Sequence, residues 1–356
     1  MENNFTTFQS GISKRAAPKN FSNKDLALFE HEFQKTFPKT HVELLNNVYV
    51  NYWGYIYNNF KVNPKSFRGE RIPGGFKFAN RIVFFLKNNE FYKKKKEYET
   101  AIWFTDPWST GYFHWFTDAL PRLFLVLNHV NQKTKLLISR KFLMHGYILK
   151  SLKLLGIDKE CIETIEEGEI AYIKHLFLPN ETSSSTGNYH DILFASLRRK
   201  IEYHIRNLKD IDQGSENRVY ITRMNSSRRK VLNEAEVIEL IHNYGFKIYD
   251  FDTLPWLAQV KLCYHSKTLM SLHGAAITNM IFMKDGGSII ELRRRGDHLN
   301  NCYFSLANTC YLNYYYLECD KKNVIKKKIG DGIVEDADVT VPIASLKELL
   351  DSYFLI

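Results

Sequence analysis

Three clusters of residues in this chain have the types and spacing to do chemistry. The first is the run Ser271, Leu272, His273, Gly274, Ala275, Ala276, Ile277, Thr278, Asn279, in which an apolar stretch passes through a glycine turn into the start of a helix. Such a turn places free backbone N–H groups and the positive end of a helix dipole at the carboxyl edge of a sheet, an arrangement that binds phosphate. Gly274 permits close backbone approach, His273 can hydrogen-bond a phosphate oxygen, and Thr278 or Asn279 adds side-chain donors. The plain alternative is a tight strand-to-helix turn whose histidine caps the helix.

The second cluster is Tyr220, Ile221, Thr222, Arg223, followed by Arg228, Arg229, Lys230 and then Asn233 and Glu234. Arg223 falls at the carboxyl end of a strand, where the crevice of a doubly wound sheet opens, and Arg229 lies in the loop leading to the next helix. Guanidinium groups there suit a diphosphate; a solvated basic loop is the alternative. Asn233 reads as a helix cap or a loop brace.

The third cluster runs from Trp108 to Leu123. If Tyr112 to Leu120 opens a helix, His114 and Asp118 share a face one turn apart. A histidine paired with a carboxylate can take the proton of an acceptor hydroxyl, although two buried groups satisfying each other would look the same. Glu291 closes a strand-like run from Ser288, where an acid can hold ribose hydroxyls.

The elements needed to position these residues follow from hydrophobic periodicity. A loose helical pattern covers Asn23 to Phe37. From His41 to Leu86 the chain is β-like, with Val48, Val50 and Tyr52 alternating, Pro73-Gly74-Gly75 as punctuation and an apolar strand from Arg81 to Leu86. From Ala101 strands and helices alternate, and after the polar stretch Asp210 to Asn217, the best interdomain linker, the alternation restarts and runs to Leu292. Ser345 to Tyr353 forms an amphipathic tail helix. The expected organisation is an N-terminal helix plus a β-rich segment over 1–100 packing on the next domain, a first α/β domain over 101–212, a second over 213–335 and a tail helix within 336–356 crossing back.

Composition narrows the classes. The 356 residues are 44% hydrophobic and 25% charged, which is enough for two or three compact units and ordinary for a water-soluble chain. No apolar run is long enough to span a bilayer, and Met1 to Lys24 lacks the apolar core of a secretory signal, so a cytoplasmic location is expected. Five cysteines without a CxxC pair indicate neither a disulfide framework nor a zinc site. The net charge of +10 suits a phosphorylated substrate or peripheral contact with an anionic membrane. Lys93 to Lys96 reads as a solvated turn between strands, and without a ribonucleoprotein-type motif nucleic acid is not an expected partner.

Taken together, the clusters resemble the family 61 glycosyltransferases, a group that includes the EGF-domain and O-mannose GlcNAc-transferases, plant xylosyltransferases and bacterial surface-polysaccharide enzymes. The family pattern of Tyr-Phe-His-Trp, Asp and Leu-Pro-Arg-Leu is matched by Tyr112 to Leu123. Arg223, Arg229, Asn233, Glu234, Gly245-Phe246, Gln259, His273 to Asn279 and Glu291 follow in the family's order. Thr105 to Gly111 departs from the usual Gly-Asn lead into this pattern.

The resemblance implies two Rossmann-like doubly wound α/β domains facing a cleft, the GT-B type. It also implies an inverting transfer from a nucleoside-diphosphate sugar, with a uridine diphosphate sugar expected, to a glycan or lipid-linked glycan. On that basis Arg223, Arg229, Asn233, His273, Gly274, Ala275, Thr278 and Asn279 hold the donor, mainly through its diphosphate. Glu291 holds ribose or base, and His114 or Asp118 is the base. Neither a metal nor a cofactor is expected: the pairs Asp210/Asp212, Asp250/Asp252 and Asp336/Asp338 read as loop carboxylates, and arginines with a helix dipole neutralise the leaving diphosphate. Bacterial surface-polysaccharide synthesis is the expected setting. A catalytically silent nucleotide-sugar or glycan-binding module of the same fold is the rival reading.

Overall fold

In a computed structural model the described residues are 5–58, 61–67, 94–183, 185–208, 217–329 and 332–355. The expected strand Arg81 to Leu86, the turn Pro73-Gly74-Gly75, Lys93, the pair Asp210/Asp212 and most of the expected linker lie outside them. The chain divides into two compact units: residues 1–11, 36–185 and 192–204 make the first, and residues 12–35, 186–191 and 205–356 the second.

The N-terminal region holds β1 (Gly11–Lys14) and β2 (Gln34–Phe37), which pair as a two-stranded sheet. Between them the expected continuous helix is broken into short turns over Asn23–Asp25, Leu26–Phe29 and Glu30–Glu32 before the chain turns into β2. Aromatic packing within the second unit overrides the helical pattern: Phe29 lies 5.1 Å from Phe304 and 4.9 Å from Tyr316, ring to ring.

The first unit is built on β3 (Val42–Asn51), β4 (Ile56–Asn58), β5 (Lys61–Val62), β6 (Lys94–Ile102), β7 (Thr134–Ser139), β8 (Ile162–Ile165) and β9 (Glu169–Pro179), in the order β5-β4-β3-β9-β6-β7-β8. The strands β9, β6, β7 and β8 run parallel, whereas β3 pairs antiparallel with β9 from Val42/Pro179 to Asn51/Ile170. The β-like N-terminal segment is therefore part of this sheet and not a layer beside it, which makes the sheet mixed where a doubly wound parallel one was expected. Val48, Val50, Ala101, Trp103, Leu137 and Ile173 form its core. Lys94 to Lys96, read from sequence as a turn, open β6, where Lys96 Nζ reaches Glu169 at 2.8 Å.

The second unit holds β10 (Asn217–Ile221), β11 (Phe246–Tyr249), β12 (Ser266–Leu272), β13 (Ser288–Arg294), β14 (Asn313–Ile329) and β15 (Gly332–Thr340), in the order β11-β10-β12-β13-β14-β15. The first five are parallel in an arrangement that, numbered within the unit, is 2-1-3-4-5, the doubly wound order with its switch point between the first and third strands. Val219, Tyr220, Ile221, Leu269, Met270, Ile289 and Ile290 are buried, as unbroken apolar runs in a covered parallel sheet must be. The helix Glu234–His242 buries Val237 and Ile241, four residues apart, and is followed by a turn to Gly245, whose φ of +73° suits the left-handed conformation that releases the chain into β11. Beyond Cys319, β14 leaves the parallel sheet and pairs antiparallel with β15, and Asp336 and Asp338 lie in that strand where loop carboxylates were expected. The helix Cys302–Thr309 and the β14/β15 hairpin lacked a clear sequence pattern. All five cysteines are free thiols.

Candidate active site

The paired residues Ile221 and Ser271 bring the ends of β10 and β12 side by side at the switch point of the second unit. Arg223 and His273 each follow two residues later, so two clusters 50 positions apart in sequence meet there. An ideal Cβ placed on Gly274 would sit 3.1 Å from Arg223 Nη1. Its φ of 172° is ordinary extended backbone, so the glycine is required for space rather than for conformation.

The Arg223 guanidinium is held from behind. Its Nε donates to the Arg229 carbonyl (2.8 Å) and its Nη2 to the Arg228 carbonyl (2.9 Å). Glu234 Oε1 anchors the strand end by accepting from the Arg223 backbone N–H (2.9 Å), the Thr222 hydroxyl (2.9 Å) and the Tyr220 hydroxyl (2.7 Å). Burial, followed by the adjacent Arg229, lowers the Arg223 pKa from its ordinary value. A guanidinium stays charged, so this direction means that the site favours an anion as counter-charge. Arg229 itself has a φ of +54° and pairs through Nε with Asp336 Oδ1 at 3.2 Å. It shapes the loop that holds Arg223, and sequence alone offered no signal for a partner 107 residues away.

His273 is oriented from below. Its Nδ1 lies 2.5 Å from Glu291 Oε1, and Glu291 Oε2 accepts from the Tyr314 hydroxyl. With Nδ1–H donating to the carboxylate, Nε2 is left as the ring atom available to a ligand. Burial, with Glu291 beside it, holds the Tyr314 phenol well above its ordinary value, so it remains a donor. Glu291 is 0% exposed with both oxygens engaged, which makes it an orienting group for His273 and leaves a ribose contact without a free acceptor.

The segment after Gly274 is a 3-10 helix, Ala275–Phe282, where the α-helical start was expected. Its amides at Ala275 and Ala276 precede the first bond of the turn, Ile277 N–H to the Gly274 carbonyl at 3.0 Å. Thr278 and Asn279 are buried, and Asn279 Nδ2 donates to the Ala276 carbonyl at 2.9 Å. Asn233 is not brought to this point. Its amide accepts from Val341 N–H and donates to the Val341 carbonyl, both at 2.9 Å, as a brace between the helix entry and the end of β15.

In the first unit the segment Tyr112 to Phe124 is helical throughout, but residues Trp115–Ala119 form a π-helical turn between two α-helical pieces. Pro121 lacks the N–H that an α-helix would aim at the Thr117 carbonyl, which favours the wider turn. His114 Nδ1 meets Asp118 Oδ2 at 2.6 Å. Here too a carboxylate holds Nδ1 and leaves Nε2 to accept a proton. Trp115, fully buried, donates its indole N–H to Ser151 Oγ at 2.9 Å and fixes the helix beneath the pair. The same unit contains a cavity of about 410 Å³ whose lining includes His41, Glu43, Lys65, Asp106 and Arg122. Among the described residues no three His, Cys, Asp or Glu side chains gather as a metal set.

The second unit thus carries an arginine, a histidine and a glycine turn at the switch point of a doubly wound sheet, the place where open α/β sheets take their ligands. The glycosyltransferase 61 family model matches residues 112–290, from Tyr112 to one residue before Glu291. The chain belongs to this family. It is 24% identical over 127 residues to the EGF domain-specific O-linked N-acetylglucosamine transferase of Bos taurus, covering 34% of this chain and 24% of that protein. It is 30% identical over 89 residues to the protein of the same name from Drosophila melanogaster, covering 24% and 17%. The chain thus spans about a quarter or less of the length of these relatives.

Proposed function

We propose that the chain transfers a sugar from a nucleoside-diphosphate sugar to a hydroxyl of a glycan acceptor in one inverting step. The observation that carries the reading is the meeting of Arg223 Nη1, His273 and Gly274 at the switch point, a half-buried cationic cradle whose chemistry suits a diphosphate. The donor belongs to the second unit in this reading, with Arg223, His273 Nε2 and the Ala275 and Ala276 amides on the diphosphate. The leaving group departs with negative charge, which the cradle stabilises more strongly as the bond to the sugar breaks.

His114 is the base. The acceptor O–H gives its proton to His114 Nε2, Asp118 stabilises the imidazolium that forms, and the oxygen displaces the nucleoside diphosphate with inversion at the anomeric carbon. The relatives' names make UDP-N-acetylglucosamine the first donor to try. A GT-B arrangement and a role in surface-polysaccharide assembly are the parts of the reading that rest on family resemblance alone.

The test is a thermal-shift screen with uridine, guanosine and cytidine diphosphates and their sugars, followed by a transfer assay. A nucleotide that stabilises the protein, with loss of the effect in Arg223→Ala, is expected. Binding unchanged in Arg223→Ala, or no response to any nucleotide, would overturn the donor assignment. The silent-module reading gains ground if nucleotides bind but no sugar is transferred or hydrolysed.

A further inference from the structure

Trp108 is 51% exposed, although it lies in the 3-10 turn Pro107–Thr110 that leads straight into the motif helix. An exposed indole normally sits on mobile, solvated chain; this one is fixed. Asp106 Oδ1 accepts from Trp108 N–H (2.8 Å), Ser109 N–H (3.0 Å) and Ser109 Oγ (3.0 Å), and Ser109 Oγ accepts from Asp106 N–H (3.0 Å), a closed capping box. Tyr147 adds a bond from its hydroxyl to the Thr110 carbonyl at 3.1 Å. The indole lies 4.9 Å from the His114 ring at 75°, in edge contact with the group assigned as base.

The same Asp106 reaches the cavity of the first unit. Its Oδ2 faces Arg122 Nη1 at 3.8 Å, and both residues line that cavity together with Glu43, which pairs with His41 (3.1 Å) and Lys65. Glu181 also lines the cavity, so each cation there already faces a carboxylate and none is left over for an anion; the lining suits a neutral ligand rich in hydroxyls.

We propose that the surface from Trp108 to the Asp106/Arg122 cavity is the acceptor subsite and that it takes a neutral pyranose. The electropositive C–H face of the sugar stacks on the electron-rich indole face, which sets one ring hydroxyl beside His114. Trp108 is a positioning residue here, and the proposal rests on His114 as the base. It adds to that reading the surface of this chain that holds the acceptor ring and the residue that orients it.

The experiment is ¹⁹F NMR of the full chain carrying 5-fluorotryptophan, which gives a separate probe at each of its five tryptophans. The Trp108 resonance is assigned by its loss in Trp108→Phe and, independently, in Trp108→Tyr. Titration with methyl glycosides of glucose, galactose, mannose and N-acetylglucosamine is expected to shift the Trp108 resonance with at least one of them and leave the buried tryptophans unmoved. Transfer to that sugar should show an acceptor KM raised about tenfold in Trp108→Ala, with most of the loss recovered in Trp108→Phe. A Trp108 resonance that answers to none of the sugars, or equally to the open-chain polyol sorbitol, overturns the proposal. Uridine diphosphate is titrated in parallel: a thermal shift without a Trp108 response sinks this inference alone, and a Trp108 response without a nucleotide effect sinks the donor assignment alone.

Discussion

At the scale of single residues, the chain uses one device twice. His114 with Asp118, and His273 with Glu291, each present a carboxylate to Nδ1 and keep Nε2 for chemistry. Their surroundings differ: the first pair sits on a helix and the second at the end of a buried sheet. Replacing His114 by Ala should cut transfer by about 10²–10⁴-fold, the range for loss of a general base, while the thermal shift given by nucleotide stays that of the parent. Transfer that survives the change would remove His114 from the mechanism. Gly274→Ala is a sharper probe of the cradle, because the backbone there tolerates any residue and only Arg223 is in the way. Nucleotide affinity should fall about tenfold, or about 1.4 kcal/mol by calorimetry, with the unfolding midpoint of the free protein unchanged. Glu291→Gln instead disturbs a fully buried network, and we expect a stability loss of about 1–3 kcal/mol in urea titration together with weaker nucleotide binding.

At the scale of elements, β10 and β12 and their following turns do the positioning, and helix entries lock them. Asn233 shows how a residue in a binding motif can serve the frame: its amide is spent on Val341, the residue that follows β15 by one position. Asn233→Ala should cost about 1–3 kcal/mol, the penalty for leaving partners unmade, with nucleotide affinity unaltered. Affinity that drops while stability holds would return Asn233 to the ligand. The π-turn at Trp115–Ala119 has the same character, since it widens the helix within the segment that carries the base pair.

At the scale of the molecule, the charge of +10 is spread over the chain, and the lowered pKa of Arg223 reflects burial and the neighbouring Arg229. Stability toward acid is set elsewhere. Burial would raise the Asp297 carboxyl, but Arg294, with the Asn300 amide and His273 adding to it, brings its pKa below the ordinary value. A depressed carboxylate contributes stability above its unfolded pKa, near ~3.9, and loses it as pH falls through the folded value. The unfolding midpoint measured from pH 6 down to pH 2.5 should therefore decline less steeply in Asp297→Asn than in the parent. Equal slopes would show that the Arg294/Asp297 pair adds nothing.

Much of the second unit was legible in the amino-acid sequence. Apolar runs closed by Gly245 and by the Gly274 turn mark buried parallel strands and their helices, because a strand covered on both faces must be apolar and a chain reversal needs a permissive residue. The residue types Arg223, His273 and His114 likewise announce their chemistry through spacing along single elements. The antiparallel pairing of β3 with β9 was hidden, because pairing between segments over a hundred residues apart leaves no local period. Which polar groups face a ligand and which face each other was hidden for the same reason. Only folding brings Glu291 under His273, Asp336 to Arg229, Val341 to Asn233 and Arg223 over Gly274, since each contact depends on two distant stretches meeting at one sheet edge. The sequence by itself determined the family, the doubly wound sheet of the second unit and the candidate site residues; the tertiary structure alone decided which of them are spent on holding the others in place.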